Sequence, residues 1–228
     1  MSSAATCAIV PVKALTQAKR RLAPVLPDAA RRQLVLAMLE DVLAAVARTK
    51  GVERVLVVTP DASAAILAES RGAVIVPEPG AGGLNAAVES AIAFALSGGL
   101  GQALVLPADI PLATPGELAS LIASRGARPG VTLSPSHDSD GTNALLLAPP
   151  NAIAPCYGPG SYVQHMSQAM ARQIDVNVLH LAGVARDIDV SADLAVLSAA
   201  VPARYGFIEP YLGAAGQPSD PTAAAEEQ

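Results

Sequence analysis

Lys13, Lys19, Arg20 and Arg21 crowd the stretch directly after the apolar run Cys7–Val12. Cations gathered behind a strand neutralise phosphate groups, as point charges in the case of Lys and as planar forks in the case of Arg. A second chemical feature is Asp109, held between prolines in Leu106-Pro107-Ala108-Asp109-Ile110-Pro111. A carboxylate fixed in this way is suited to a Mg2+ ligand in phosphate chemistry, because Mg2+ takes few, hard oxygen ligands; the plainer reading is a cap for the following turn. A third is Asp187-Ile188-Asp189, whose two carboxylates point to the same side of an extended segment and repel each other unless a cation joins them. With Asp109 they are expected to hold one or two divalent ions. Asp193 reads instead as a first-turn residue behind a Ser191 N-cap. The fourth feature is Asp140-Gly141-Thr142-Asn143 together with Tyr157-Gly158-Pro159-Gly160-Ser161. Here Ser161 is the expected N-cap of a helix whose free amides would receive a phosphate or carboxylate. His165, one turn further on, faces either that site or solvent. His137 and His180 have no partners at ligand spacing and Cys156 has no evident base, so zinc and cysteine chemistry have no support.

These residues sit where an alternating strand–helix chain would place them. Strands are expected at Cys7–Val12, Arg54–Thr59, Ala73–Val76, Gln102–Leu106, Val131–Ser134, Asn143–Leu147 and Val176–Leu181. A long helix is expected from Asp28 to about Arg48. Further helices are expected before Gly72, from Leu84 to Ser97, after the Thr114-Pro115 cap, from Ser161 to about Arg172, and from Ser191. The strands are continuously apolar, which argues an α/β fold with a mostly parallel sheet covered on both faces. Ligands on such sheets bind beyond the strands' carboxyl ends, the region that holds Lys13 and Asp109. Residues 1–204 read as one domain, and the Ala/Gly/Pro-rich residues 205–228 as a mobile tail.

Composition narrows the classes. The chain has 228 residues, 51% of them hydrophobic and 15% charged, which excludes disorder. No uncharged apolar run reaches the ~18 residues of a spanning helix, since Thr142–Cys156 is broken by prolines, and no secretion signal opens the chain. Cys7 and Cys156 read as reduced thiols of a cytoplasmic protein. The formal charge is −5, yet residues 1–50 carry +5. An acidic remainder repels a nucleic-acid duplex, and 3% aromatics without Trp offer no stacking platform, so the basic loop suits a small polyanion. Neither GxGxxG nor GxxxxGK[ST] is present, which removes the main support for dinucleotide-dependent dehydrogenases and P-loop ATPases.

The ordered set PVK-x5-KxRL (Pro11 to Leu22), GGLNAA (Gly82 to Ala87), LPADIPL (Leu106 to Leu112), DGTNALLL (Asp140 to Leu147), YGPGSYxxH (Tyr157 to His165) and DIDVSADL (Asp187 to Leu194) resembles the CofC/FbiD guanylyltransferases of coenzyme F-420 biosynthesis. The resemblance runs from about residue 7 to 200. It implies a Rossmann-like fold similar to the glycosyltransferase-A-type nucleotidyltransferases. It also implies transfer of GMP from GTP to phosphoenolpyruvate, 2-phospho-L-lactate or 3-phospho-D-glycerate, with release of pyrophosphate. Carried over by position, it puts Asp109, Asp187 and Asp189 on Mg2+. It puts Lys13, Lys19 and Arg21 near the phosphates, Pro11 and Asn85 at the nucleotide, and Thr142, Gly158 and Ser161 on the acceptor. Tyr157 stands where Phe is expected in many members, and nothing beyond about Tyr205 has a family counterpart. The rival readings are a molybdopterin or sugar-phosphate nucleotidyltransferase on the same scaffold, which would carry a glycine-rich loop after the first strand, and a non-catalytic nucleotide-binding module. The sequence leaves the acceptor and the oligomeric state open.

Overall fold

A computed structural model of the chain describes residues 5–80, 82–124, 126 and 129–212. Its strands are β1 (Thr6–Pro11), β2 (Val52–Val58), β3 (Val74–Val76), β4 (Gln102–Val105), β5 (Gly130–Pro135), β6 (Thr142–Ala148) and β7 (Asp175–Val178). They form one sheet in the order β3-β2-β1-β4-β6-β5-β7. The principal helices are α1 (Asp28–Ala47), α2 (Ala62–Ser70), α3 (Gly83–Ser97), α4 (Pro115–Ala123), α5 (Ser161–Ala171) and α6 (Ser191–Ala200).

Alternation along the strands builds the two covered faces. Ala8, Val10, Val57, Leu104 and Leu146 point into one core, with Leu39, Val42 and Val46 of α1 and Leu118 and Leu121 of α4. Cys7, Ile9, Leu56, Val58, Val105, Leu145 and Leu147 point into the other, against Val88, Ala91 and Ile92 of α3 and Ala169 of α5. Residues at even and odd positions of a strand thus serve opposite layers, which is why the strands read as unbroken apolar runs.

Two features of the topology position the site. The chain steps from β1 outward to β2 and β3, then returns to the other side of β1 for β4. The β1/β4 junction is therefore a switch point with an open crevice at the carboxyl ends. β6 pairs antiparallel with both β4 and β5, while β1–β2, β1–β4, β2–β3 and β5–β7 pair in parallel. Reversal of β6 brings its first residues, Thr142 and Asn143, to the edge where β4 delivers Asp109.

The helix caps agree in part with expectation. Thr114 caps α4 through a capping box with Glu117. The other Glu117 oxygen, Oε1, accepts the Gly183 backbone N–H at 2.7 Å, tying α4 to the loop that leads to Asp187. A Cβ on Gly183 would lie 2.2 Å from the Leu112 carbonyl oxygen, so only glycine fits there. Ser161 is not a cap. The N-cap of α5 is Gly160 in the left-handed conformation (φ 68), and Ser161 is the first helical residue. Ser191 is likewise the first residue of α6; Asp193 does the capping, its Oδ2 accepting the backbone N–H groups of Asp189 and Val190 at 2.9 Å each.

The boundary expected at residue 205 falls inside packed structure. Short helical turns α7 (Pro202–Tyr205), Gly206–Ile208 and α8 (Glu209–Leu212) follow α6. Tyr205 and Ile208 are fully buried in a third cluster with Leu34 and Met38 of α1. Tyr205 Oη donates to Asp41 at 2.5 Å, and Arg204 pairs with Glu40 and Asp41. The rest of the expected tail, residues 213–228, lies outside the described residues.

Candidate active site

The cavity at the β1/β4 switch point has a volume of about 290 Å³, near the low end for ligand clefts. Pro11, Lys13, Lys19, Asp109, Thr142, Asp187 and Asp189 line it, together with Asn143, Leu84 and Tyr157. Arg21 belongs to an adjoining hollow that shares Asp187 and Asp189. Asn85, Gly158 and Ser161 are not part of its lining.

On the β1/β4 side the geometry is ionic. A left-handed backbone at Lys19 (φ 53) turns its side chain inward, leaving it 7% exposed. The ammonium bridges Asp109 Oδ2 at 2.5 Å and Asp189 Oδ1 at 3.0 Å. Burial on its own would lower the Lys19 pKa, but the Asp109 and Asp189 carboxylates outweigh it and the net shift is upward. Asp189 shows the counterpart: burial raises its pKa, and Lys19, Arg21 and Lys13 pull it below the ordinary value. Arg21 completes the chain of charges, 3.1 Å from Asp189 Oδ2. Backbone geometry joins the two acidic segments, since the Ile188 N–H donates to the Asp109 carbonyl at 3.0 Å.

Asp187 differs from its neighbours. Burial raises its pKa, with the negative charge of Asp109 adding to the rise, while a hydrogen bond from Asn143 Nδ2 at 3.1 Å opposes it. It is a carboxylate short of positive charge, in a cavity wall. The three acids expected to share an ion do meet in one cavity. They do not close into a ready nest: among the described residues no three His, Cys, Asp or Glu side chains are arranged to hold a metal. The Lys19 ammonium lies between two of them.

On the α5 side the groups that line the cavity, Leu84, Thr142 and Tyr157, are neutral. The Asn85 amide is committed at both ends to Tyr157, its Oδ1 accepting the Tyr157 N–H at 2.7 Å and its Nδ2 donating to the Tyr157 carbonyl at 3.1 Å. Asn85, expected at the nucleotide, clasps the loop that enters α5. Asp140 holds the same loop from the other side. Its Oδ2 accepts the Gly160 N–H at 3.1 Å, and its carbonyl accepts the Tyr162 N–H at 3.2 Å. Thr142 and Ser161 are buried and touch through their hydroxyls at 3.4 Å. His165 is fully buried against Thr142 and faces neither open cavity nor solvent. The Tyr157 ring packs edge-on to it at 5.2 Å, and its buried hydroxyl has no hydrogen-bond partner among the described residues.

The sequence pattern assigns no role of their own to Asn143, Asp140 and His165. Each lay inside a quoted motif, so a signal existed; the partners that define their work are distant along the chain.

A family model, guanylyl transferase CofC like, matches residues 6–199. The chain belongs to the CofC-like guanylyl transferase family. A phosphoenolpyruvate guanylyltransferase of Rubrobacter xylanophilus is 44% identical over 200 residues, covering 87% of this chain and 96% of the relative. A 2-phospho-L-lactate guanylyltransferase of Methanothermobacter thermautotrophicus is 35% identical, covering 83% of this chain and 82% of the relative. Among solved structures, a protein assigned as a nucleotide-diphospho-sugar transferase from Desulfovibrio desulfuricans G20 superposes with a TM-score of 0.73 at 16% identity, covering 92% of this chain and 95% of that one. That likeness concerns the fold alone. The protein is thus a guanylyltransferase on a nucleotide-diphospho-sugar-transferase-type scaffold, and the reading as a non-catalytic module falls away. No helix among the described residues is long and apolar enough to cross a membrane.

Proposed function

We propose that this guanylyltransferase moves GMP from GTP to the phosphate of a three-carbon phospho-acid and releases pyrophosphate, as a step of coenzyme F-420 biosynthesis. Phosphoenolpyruvate is the favoured acceptor, supported by the names of the relatives at 39–44% identity. The observation that carries the reading is one cavity with two unlike walls, a lysine–carboxylate wall and a wall that carries Thr142 in front of a helix N-terminus.

A phosphate oxygen of the acceptor attacks the α-phosphorus of GTP in line. The new O–P bond forms as the bond to the β-phosphate bridge breaks, and pyrophosphate departs with the electron pair. A phosphate monoester is already ionised near neutral pH, so no general base is needed. The work of the protein is positioning and charge neutralisation. Lys13, Lys19 and Arg21 receive the triphosphate. Lys19 then exchanges carboxylate partners for phosphate oxygens, a change made easier because its charge is kept in either state. Thr142, with Ser161 and the Gly158 loop behind it, orients the acceptor.

The donor set on the acidic wall fits Mg2+: all ligands are hard oxygens, Asp187 is short of positive charge, and a cation already bridges Asp109 and Asp189. Asp109, Asp187 and Asp189 would hold the ion, which when bound supplies charge neutralisation at the triphosphate.

The test is pyrophosphate release from GTP with phosphoenolpyruvate, 2-phospho-L-lactate and 3-phospho-D-glycerate offered separately. Release that depends on one of the acids supports the reading. Comparable turnover with ATP under the same Mg2+ would overturn the donor assignment, and release with none of the acids would overturn the acceptor class.

A further inference from the structure

His165 touches two groups whose hydrogen-bonding roles determine its own. Its Nε2 lies 3.0 Å from the Cys156 backbone nitrogen, and its Nδ1 lies 3.0 Å from Thr142 Oγ1. A backbone N–H can only donate, so Nε2 must be the bare, accepting nitrogen. A neutral imidazole then carries its proton on Nδ1 and donates it to Thr142. Thr142 Oγ1 also accepts from the Ser161 hydroxyl at 3.4 Å, which occupies the oxygen's second lone pair. The Thr142 hydroxyl proton has no acceptor left in that cluster, and Thr142 lines the cavity.

We propose that His165 is a positioning residue that sets the hydrogen-bond polarity of Thr142, making its hydroxyl a donor into the cavity toward an anionic oxygen of the bound acid. The inference rests on the acceptor reading above for the identity of the acid, and on geometry for the direction of the proton. It explains why a fully buried histidine stands behind a hydroxyl site. A serine or threonine hydroxyl free to rotate offers either a proton or a lone pair, whereas one that already accepts two hydrogen bonds offers only the proton. The site then favours a carboxylate or phosphate oxygen and disfavours a hydroxyl or amine at that point. Burial also holds the imidazole pKa down at about 4, consistent with a permanently neutral ring.

Two readouts test it. Long-range proton–nitrogen spectra of the full-length protein, with the His165 signals assigned by their loss in His165→Gln, should show a bare Nε2 and a protonated Nδ1. In steady-state turnover, His165→Gln keeps an acceptor for the Cys156 N–H but loses the donor to Thr142. It should raise the KM of the acid about tenfold, the worth of roughly one well-formed hydrogen bond, with the KM of GTP unchanged. His165→Asn, whose Nδ2 can replace Nδ1, should recover part of that loss. A protonated Nε2, a doubly protonated ring, or a His165→Gln variant with the wild-type KM for the acid would overturn the proposal. So would equal increases in both KM values, the mark of general loosening. Absence of turnover with every acid would instead defeat the acceptor reading, and the spectra would still decide the tautomer; if His165→Gln does not fold, His165→Asn supplies the assignment.

Discussion

The two walls of the cavity are built on opposite principles. The β1/β4 wall is a relay of charges, Asp109–Lys19–Asp189–Arg21, in which two cations of one loop meet carboxylates from two other segments. The α5 wall is a neutral lattice in which Asn85, Thr142 and His165 have their hydrogen bonds directed to fixed partners. Ion pairs that line a cleft can exchange partners without stranding a charge, since a charged ligand replaces one counter-charge by another. Neutral buried networks do not, because each broken bond strands a desolvated group. The contrast suits a transferase. The wall that meets a polyphosphate must adapt as its charge is bound and partly expelled, and the wall that sorts small acids gains by staying rigid.

The largest expected effect lies on the ionic wall. Asp109→Asn keeps size and one accepting oxygen but removes a negative charge that Lys19 and a divalent cation both use. It should lower kcat/KM by on the order of 10²-fold or more while circular dichroism shows a retained fold. A normal rate at saturating Mg2+ would reduce Asp109 to a partner of Lys19. A sharper form of the same test pairs Asp109→Ala with Asp187→Ala. If both serve one cation the losses should be strongly non-additive in a double-mutant cycle on turnover, because either change empties the same site. Additive losses would mean separate duties.

The neutral wall should reveal itself in stability. With its pKa held at about 4 by burial, His165 binds fewer protons folded than unfolded. Stability tied to it is therefore complete above the unfolded pKa of about 6.5 and declines as pH falls toward about 4, by roughly 3 kcal/mol in all. Asp187 works in the other direction: with its pKa raised in the fold, acidification relieves its burial. The measurement is therefore a difference, urea midpoints of wild type and His165→Asn at about pH 7 and about pH 4.5, with wild type losing more of its lead at the lower pH. An unchanged lead would mean that the ring is not forced neutral.

The smallest effect concerns the departure at position 157. The Tyr157 hydroxyl is buried with no partner among the described residues, so Tyr157→Phe removes an unsatisfied polar group. The variant should be neutral to about 1 kcal/mol more stable in chemical denaturation, with activity kept. A clear loss of stability would point to a partner for that hydroxyl.

Much of this was legible in the sequence where the cause is local. Unbroken apolar strands between helices gave the two-faced sheet, and the strand-end rule pointed to Lys13 and Asp109 before any coordinates. The reversal of β6 was not legible, because Asn143–Leu147 is apolar enough to lie between two strands in either direction. Nor was the seat of Lys19, which meets carboxylates 90 and 170 residues away. Ser161 looked like a cap because Ser commonly is one, yet Gly160 supplies the left-handed turn and frees the hydroxyl for Thr142. Tyr205 looked like the start of a tail because the stretch beyond it is rich in Ala, Gly and Pro. Its burial depends on Asp41 and the α1 surface, which no local pattern records.

The division of labour between the walls is tested most directly by one matrix of kinetic constants: KM for GTP and for the accepted acid, measured by pyrophosphate release in wild type, Ser161→Ala and Arg21→Ala. Ser161→Ala should raise the KM of the acid several-fold and leave that of GTP nearly unchanged, since the Ser161 hydroxyl supports Thr142. Arg21→Ala should do the reverse. A Ser161→Ala enzyme that loses GTP affinity and keeps the acid, or two variants that weaken both substrates equally, would contradict the account.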